Sequence, residues 1–269
     1  MNDLFVSMLF ALLCVLAPAD SAYAQTPAVN LPPNYHLVFD EDFHTPLSVS
    51  NYGPGTAWIA HTPYGGDFGD AWFGLGSITS GSAFSTGNGK LTVKAWFDSV
   101  SNHWRSGLLA SVNPQGIGFS QALGYWECAL QWMGGLGTWP AFWLNGLGWT
   151  KTPRTNVAEI DILEAYGVNA SIAHQSIHVW SPAGWQLSGA GSYTTQDLTN
   201  TPHIFSCLIN TDLIHYYIDG QQVWSTPTPP EAAEPLYCMV DLALGGGWPI
   251  TNTSNPSYMY VEYVRCWAP

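Results

Sequence analysis

The sequence predicts an all-β fold, two antiparallel sheets packed face to face in a sandwich of the jelly-roll kind. Three observations lead there. After residue 24 the apolar residues recur with period two rather than 3.6. About a dozen short runs rich in Val, Ile, Tyr, Phe and Trp are separated by clusters of Gly, Pro, Asn and Ser. No segment beyond residue 24 carries three turns of apolar helical spacing. Strands without helices have only one another to bury their apolar faces against, so two packed sheets result.

At the N-terminus, Leu4 to Ala17 is a short apolar run followed by Pro18 and by Ala22-Tyr23-Ala24, a small-x-small pattern before Gln25. This is the pattern of an export signal over residues 1–24, and it is well short of the ~20 residues that a membrane span needs. Met1-Asn2-Asp3 departs from the pattern in lacking Lys and Arg, and a buried apolar strand is the alternative. Cleavage after Ala24 leaves a single domain over 25–269, secreted or periplasmic. Leu13 precedes Cys14 where a lipoprotein signal would have a small residue. Cys128, Cys207, Cys238 and Cys266 remain; three disulfide pairings are open to them, as is a set of buried free thiols.

The strand candidates follow in order: His36–Phe43, Lys90–Phe97, Gly107–Val112, Gly124–Trp132, Ala141–Leu144, Ala158–Tyr166, Ser176–Trp180, His203–Ile209, Leu213–Ile218, Gln222–Ser225, Leu236–Leu244 and Tyr258–Trp267. Asp219-Gly220 and Asn88-Gly89 read as hairpin turns, because such turns need positive φ. The loop Asn51–Gly76, rich in Gly, Pro and aromatics, is too apolar for a tether and suits a wall over a cleft. Pro227-Thr228-Pro229-Pro230 is a stiff turn, not a domain boundary.

Composition narrows the partners. The 269 residues carry only 6 Lys+Arg against 19 Asp+Glu, a net charge of −13. Removing Asp3 and Asp20 with the signal leaves 6 cations against 17 acids, or −11. So few cations argue against a nucleic-acid partner or an anionic membrane. Hydrophobic content of 46% argues against disorder. With 14 Trp, the surface suits a neutral ligand with flat apolar faces, and sugars lead.

The stretch Ala158-Glu159-Ile160-Asp161-Ile162-Leu163-Glu164 places three acids within six residues of an otherwise apolar strand. Regular pleating sends Glu159 and Asp161 to one face and Glu164 to the other. A single β-bulge at Ile162-Leu163 returns Glu164 to the acidic face. The glutamates are then roughly 13 Å apart at their α-carbons, and inclined side chains can narrow this to the ~5–5.5 Å carboxylate gap of a retaining glycosidase. A solvated acidic strand edge is the alternative. Around this strand lie Trp139-Pro140-Ala141-Phe142-Trp143 after a Gly-rich turn, then Ser176-Ile177-His178-Val179-Trp180, and later Gly245-Gly246-Gly247-Trp248-Pro249.

In this order the motifs resemble glycoside hydrolase family 16, retaining endo-β-glycanases with a concanavalin-like sandwich. The resemblance runs from Phe39-Asp40-Glu41-Asp42-Phe43 through Gly124-Tyr125-Trp126-Glu127, Glu159–Glu164, Tyr217-Ile218-Asp219-Gly220 and Leu242–Gly246 to Val261-Glu262-Tyr263-Val264-Arg265. The acid spacing is the bulged, laminarinase-like form. The resemblance implies Glu159 as nucleophile, Glu164 as acid/base and Asp161 as their helper, with His178 bordering the cleft. Trp139, Trp143 and Trp248 are candidate sugar platforms, of which at least one is expected to be core. The loop His61–Asp70 is similar to a branch that includes bacterial exopolysaccharide glycanases, so β-1,3-glucan, mixed-linkage glucan and decorated exopolysaccharides all stay open as substrates. No cofactor or catalytic metal is required. A structural calcium stays open near Glu262, where the family more often has Asp. A monomer is expected. Transglycosylation by the same acids and a non-catalytic lectin-like sandwich are the other readings; a lectin has no use for paired carboxylates on one strand.

Overall fold

The computed structural model describes residues 26–77, 81–194, 197–199 and 201–269; the candidate export signal, including Cys14 and Ala24, lies outside them. The strands in chain order are β1 (His36–Glu41), β2 (Val49–Ser50), β3 (Trp58–Ile59), β4 (Gly76–Ser77), β5 (Gly81–Ser82), β6 (Phe84–Gly87) and β7 (Lys90–Asp98). There follow β8 (His103–Arg105), β9 (Leu108–Ala110), β10 (Gly124–Trp132), β11 (Thr138–Gly146), β12 (Val157–Ala165), β13 (Ile172–Ser181) and β14 (Gly184–Thr194). The last are β15 (His203–Ile209), β16 (Leu213–Ile218), β17 (Gln221–Pro227), β18 (Leu236–Leu244) and β19 (Ser257–Ala268). Two short 3-10 turns, Leu147–Thr150 and Pro230–Ala233, complete the set.

Two large sheets form the sandwich. One runs β17-β16-β15-β10-β19-β7-β6, with β1 on β19 and β8 on β7; the other runs β14-β13-β12-β11-β18-β9-β3-β2. Pairing is antiparallel except between β2 and β3. Every predicted strand is present: five are lengthened, four keep their predicted bounds, Val157–Ala165 is shifted by one residue, and His36–Glu41 and Leu108–Ala110 are shorter than predicted. The two predicted turns close hairpins, with Asn88 and Gly89 at φ 53° and 66° and Asp219 and Gly220 at 51° and 77°.

Two kinds of strand escaped the pattern. β2 to β6 and β8 have two to four residues each, too few to show a period. β14 is long, but its Trp185 and Leu187 are exposed and it carries Gly189 and Gly191. A Cβ at Gly191 would meet the Trp224 ring at 2.7 Å, so close approach to that indole excludes a side chain there. Pairing with β13 along its length, not burial of an apolar face, makes β14 a strand.

Alternation sorts the second sheet's two faces. On β18, Leu236, Cys238, Val240, Leu242 and Leu244 join the core between the sheets, while Tyr237, Met239 and Ala243 belong to a second cluster on the opposite face. Trp126, Cys128, Leu130 and Trp132 of β10 belong to the inter-sheet core. All four cysteines are buried free thiols in that core, so the disulfide pairings left open by the sequence do not form. Burial pushes the Cys238 thiol up to about 12, and the four behave as small apolar residues.

Glu262, the acid weighed for calcium, is nearly buried, with its Oε1 2.6 Å from the Lys90 ammonium. A lysine already neutralises that carboxylate, so the residues do not fit a cation site built on Glu262. Lys90→Met should therefore lower stability by about 1–2 kcal/mol, since it strands a buried charge while removing a half-exposed partner. Calcium or a chelator should leave the Tm of the wild type unchanged; a calcium-dependent rise would show that the ion competes with Lys90.

Candidate active site

Ile162 and Leu163 are adjacent and both apolar, so strict alternation would expose one of them and drive Glu164 into the core. A buried, unpaired carboxylate costs more than one lost ladder register. β12 bulges instead. Asp161 pairs with Ser176 and Glu164 with His174, so Ile162 and Leu163 together span the one β13 residue Gln175. On the other side Trp143 pairs with Asp161 and Phe142 with Leu163. Both bulge residues are buried in the inter-sheet core, and Glu159, Asp161 and Glu164 line one cleft on the opposite face.

Each carboxylate has its own donors. Asn145 Nδ2 donates to Glu159 Oε2 at 3.2 Å. Ser176 Oγ donates to Asp161 Oδ2, which also lies 3.5 Å from His178 Nε2. Glu164 Oε1 accepts from Trp139 Nε1 at 3.0 Å and from the Tyr166 hydroxyl at 3.3 Å. His178 is held from behind: its Nδ1 meets Ser188 Oγ, which itself accepts from Trp185 Nε1 at 2.7 Å. His178 is thus fixed between Ser188 at its Nδ1 and Asp161 at its Nε2. Glu159, Asp161 and His178 bring one ligand atom each within 4.8 Å of one another, a set that a divalent cation could bridge, although each already has a partner in the chain.

The cleft encloses about 330 Å³ and is walled by Tyr64, Phe68, Trp139, Trp143, Trp149 and Trp180 around the acids and His178. Of the predicted sugar platforms, Trp139 is half-buried beside Glu164. Trp143 is only 6% exposed, with its Nε1 donating to Asp241 at 2.8 Å, and forms floor. Trp248 is 44% exposed and lies outside the cleft lining.

The sequence reading missed Asn145, Tyr166 and the walls Trp149 and Trp180, while Tyr64 and Phe68 lie in the loop it expected to be a wall. It also missed Asp241, a fully buried acid on β18 that accepts from Trp143 Nε1 and, at 3.2 Å, from the Ala243 amide. A signal for it existed: Asp241 is the one charge in Leu236–Leu244. Trp180 too could be found, two residues from His178 and so on the same strand face.

Burial dominates the electrostatics. It pushes Glu159 up to about 7, with the Glu164 charge adding to it and the Trp180 and Asn145 donors opposing. It raises Asp161 well above the usual carboxylate range, with Glu164 and Glu159 adding, and raises Glu164 against the donors Trp139 and Tyr166. Asp241 is pushed up to about 8. Three such groups facing one cleft titrate as a unit and are not all ionised at neutrality. Burial lowers His178, favouring the neutral imidazole.

The model for glycosyl hydrolases family 16 matches residues 78–265. Endo-1,3-1,4-beta-glycanase EglC of Rhizobium meliloti (strain 1021) is 28% identical over 198 residues, 70% of this chain and 40% of the relative. Glucan endo-1,3-beta-glucosidase A1 of Niallia circulans is 30% identical over 202 residues, 66% of this chain and 30% of the relative. The chain thus spans well under half of either relative. Among solved structures, the catalytic domain of an endo-1,3-beta-glucanase (laminarinase) from Thermotoga petrophila RKU-1 superposes with a TM-score of 0.71 at 20% identity, covering 87% of this chain and 98% of that one.

The raised values have a consequence for stability. A carboxyl whose pKa is higher folded than unfolded stabilises fully below its unfolded value, near 4, and that contribution is lost as pH rises through the folded value. Glu159 and Asp241 should thus weaken the fold progressively between about pH 4 and pH 8. Glu159→Gln should flatten the decline of Tm over that range, gaining on the wild type most at the alkaline end. Curves that stay parallel from pH 4 to 9 would mean that Glu159 does not carry the raised pKa.

Proposed function

The chain belongs to glycosyl hydrolase family 16, and on that premise we propose that it is an exported, retaining endo-β-glycanase hydrolysing β-1,3- or mixed β-1,3/1,4-linked glucan by double displacement. The observation that carries this is the bulge at Ile162-Leu163, which turns buried Asp161 and half-buried Glu159 and Glu164 of one strand into one cleft.

Glu159 is the nucleophile. Asn145 donates to its Oε2, and such donors favour the ionised form needed to attack the anomeric carbon. Glu164 is the acid/base. Its Oε1 is occupied by the Trp139 and Tyr166 donors, so the proton sits on Oε2, where it is given to the leaving oxygen. In the second half, Glu164 takes a proton from the water that attacks the glycosyl ester, restoring both groups. Asp161, buried between them, adjusts the pair through the cluster's shared charge and is itself steadied by Ser176 and His178. Burial raises both glutamates, so it resists two charges in the cleft and keeps a proton shared within the pair near neutral pH.

With so few cations in the whole chain, a neutral backbone is the substrate class, gripped by aromatic faces and hydroxyl hydrogen bonds. Decorated bacterial exopolysaccharides fall within reach of the same site, as does transfer of the glycosyl group to a second sugar. A panel of laminarin, barley β-glucan and exopolysaccharides, scored by product length, separates these. No cleavage of any of them would overturn the glycanase reading in favour of a binding module.

The two glutamates should fail differently. Glu159→Gln should abolish turnover while sparing folding and glucan binding. Glu164→Ala should keep activity on aryl glycosides with good leaving groups, and azide should restore its turnover as a β-glycosyl azide. An α-glycosyl azide would mean single displacement and would remove Glu159 as nucleophile.

Export is proposed from residues 1–24 alone, and N-terminal sequencing of the protein released by its host should begin at Gln25. An intact Met1 on released protein would exclude cleavage.

A further inference from the structure

The face of the second sheet that bears the acids is divided into two unlike halves. On the β13–β14 side the residues across from the acids are mostly polar, and those of β14 are exposed. His178, Ser176 and His174 stand opposite Glu159, Asp161 and Glu164, and Ser188, Ala190 and Ser192 stand opposite those in turn, all three exposed. On the β18–β9–β3 side the same face is sealed. Met239 and Ala243 of β18 and Leu108 and Ala110 of β9 are each 0% exposed, and Ile59 of β3 is buried with them.

What seals that half is the loop between β3 and β4. Phe73 lies in the cluster and Tyr64 and Phe68 pack against it. The Phe68 ring meets Phe73, Trp139 and Trp143 edge-on at 5.0, 5.4 and 5.7 Å, which sets it at the boundary between filled face and open cleft. The loop is fastened along its length. Asp67 accepts from the Phe73 amide at 3.1 Å, Asp70 N donates to Leu244 O at 2.8 Å, and Trp72 exchanges backbone bonds with Trp104 and Ser106. Arg154 Nη2 donates to Tyr64 O at 2.8 Å. With bonds to the end of β18 and to the approach to β9, this is a fixed wall rather than a lid.

We propose that the groove is single-ended: a glucan enters over β13 and β14, runs across the acids and stops against Phe68 and Tyr64. Only a short stub of sugars then lies beyond the scissile bond on the closed side, and every cut is measured from one chain terminus. This rests on the glycanase reading above and keeps its chemistry. It narrows the internal cleavage proposed above to those internal bonds that lie at a fixed distance from one end.

The test uses the full chain on soluble laminarin and barley β-glucan, following viscosity and product size from the first turnovers. One short oligosaccharide should dominate from the outset, and viscosity should fall several-fold less per bond cut than with a random endo-cleaver. Substrate labelled at its reducing end identifies which terminus is measured. Phe68→Ala should lengthen and broaden the product set, with an unchanged circular-dichroism spectrum and a cooperative thermal unfolding transition showing that the variant folds. If that variant is inactive, Phe68→Leu with the same readout serves, and should shift the set less. A ladder of all sizes with a steep viscosity loss in the wild type would overturn the single-ended groove while leaving the glycanase intact. Unchanged products from a folded Phe68 variant would do the same. No cleavage of either glucan or of an aryl β-glucoside would overturn both.

Discussion

The site depends on one conflict in β12: two consecutive apolar residues, Ile162 and Leu163, both demand the core. Satisfying them costs a register irregularity against both neighbours, β11 and β13. It also decides where Glu164 goes. Without the extra residue, the side chain five positions after Glu159 would point between the sheets, among Phe142, Leu144 and Val240. The hydrophobic effect at two positions thus places a carboxyl at a third, and the cleft's electrostatics follow from that placement.

Those electrostatics are expensive. Glu159, Asp161, Glu164 and Asp241 are all pushed up, chiefly by burial. The surrounding donors, Asn145, Ser176, Trp139, Tyr166 and Trp143, each offset part of the cost. A fold selected for stability alone would not keep four acids in this setting; three of them face one cleft, and such a concentration of perturbed groups suits proton-transfer chemistry. The donors are rigid aromatics or sit on paired strands, so the charges are held without help from mobile loops.

Much of this was legible in the chain. Strands such as Gly124–Trp132 and Leu236–Leu244 could be delimited to the residue, because each is an apolar-rich run bounded by turn residues. The three acids stood out because charge is scarce and their strand is otherwise apolar. Two things were hidden for physical reasons. β14 owes its existence to a partner strand and to glycines that admit the Trp224 ring, neither of which writes a period into the sequence. Trp143 and Trp248 look alike as sugar platforms, yet one is floor bonded to Asp241 and the other lies outside the cleft. Which face of which sheet a tryptophan joins is settled by long-range pairing.

The loop between β3 and β4 is the clearest case of local composition understating its role. Its glycines and aromatics pointed to a cleft wall, and a wall it is. Composition could not say that Phe68 and Phe73 would cover Leu108, Ala110, Met239 and Ala243, residues from two other strands. Those four positions lie on the acid-bearing face and are small or apolar, so without the loop they would present a greasy floor to water. Loop and floor therefore imply each other: an apolar floor needs the cover, and the covered floor leaves no room for sugar. The polar serines and histidines of β13 and β14 have no such cover and need none. The asymmetry of the groove is thus built into the residues of the sheet itself, with the loop completing it.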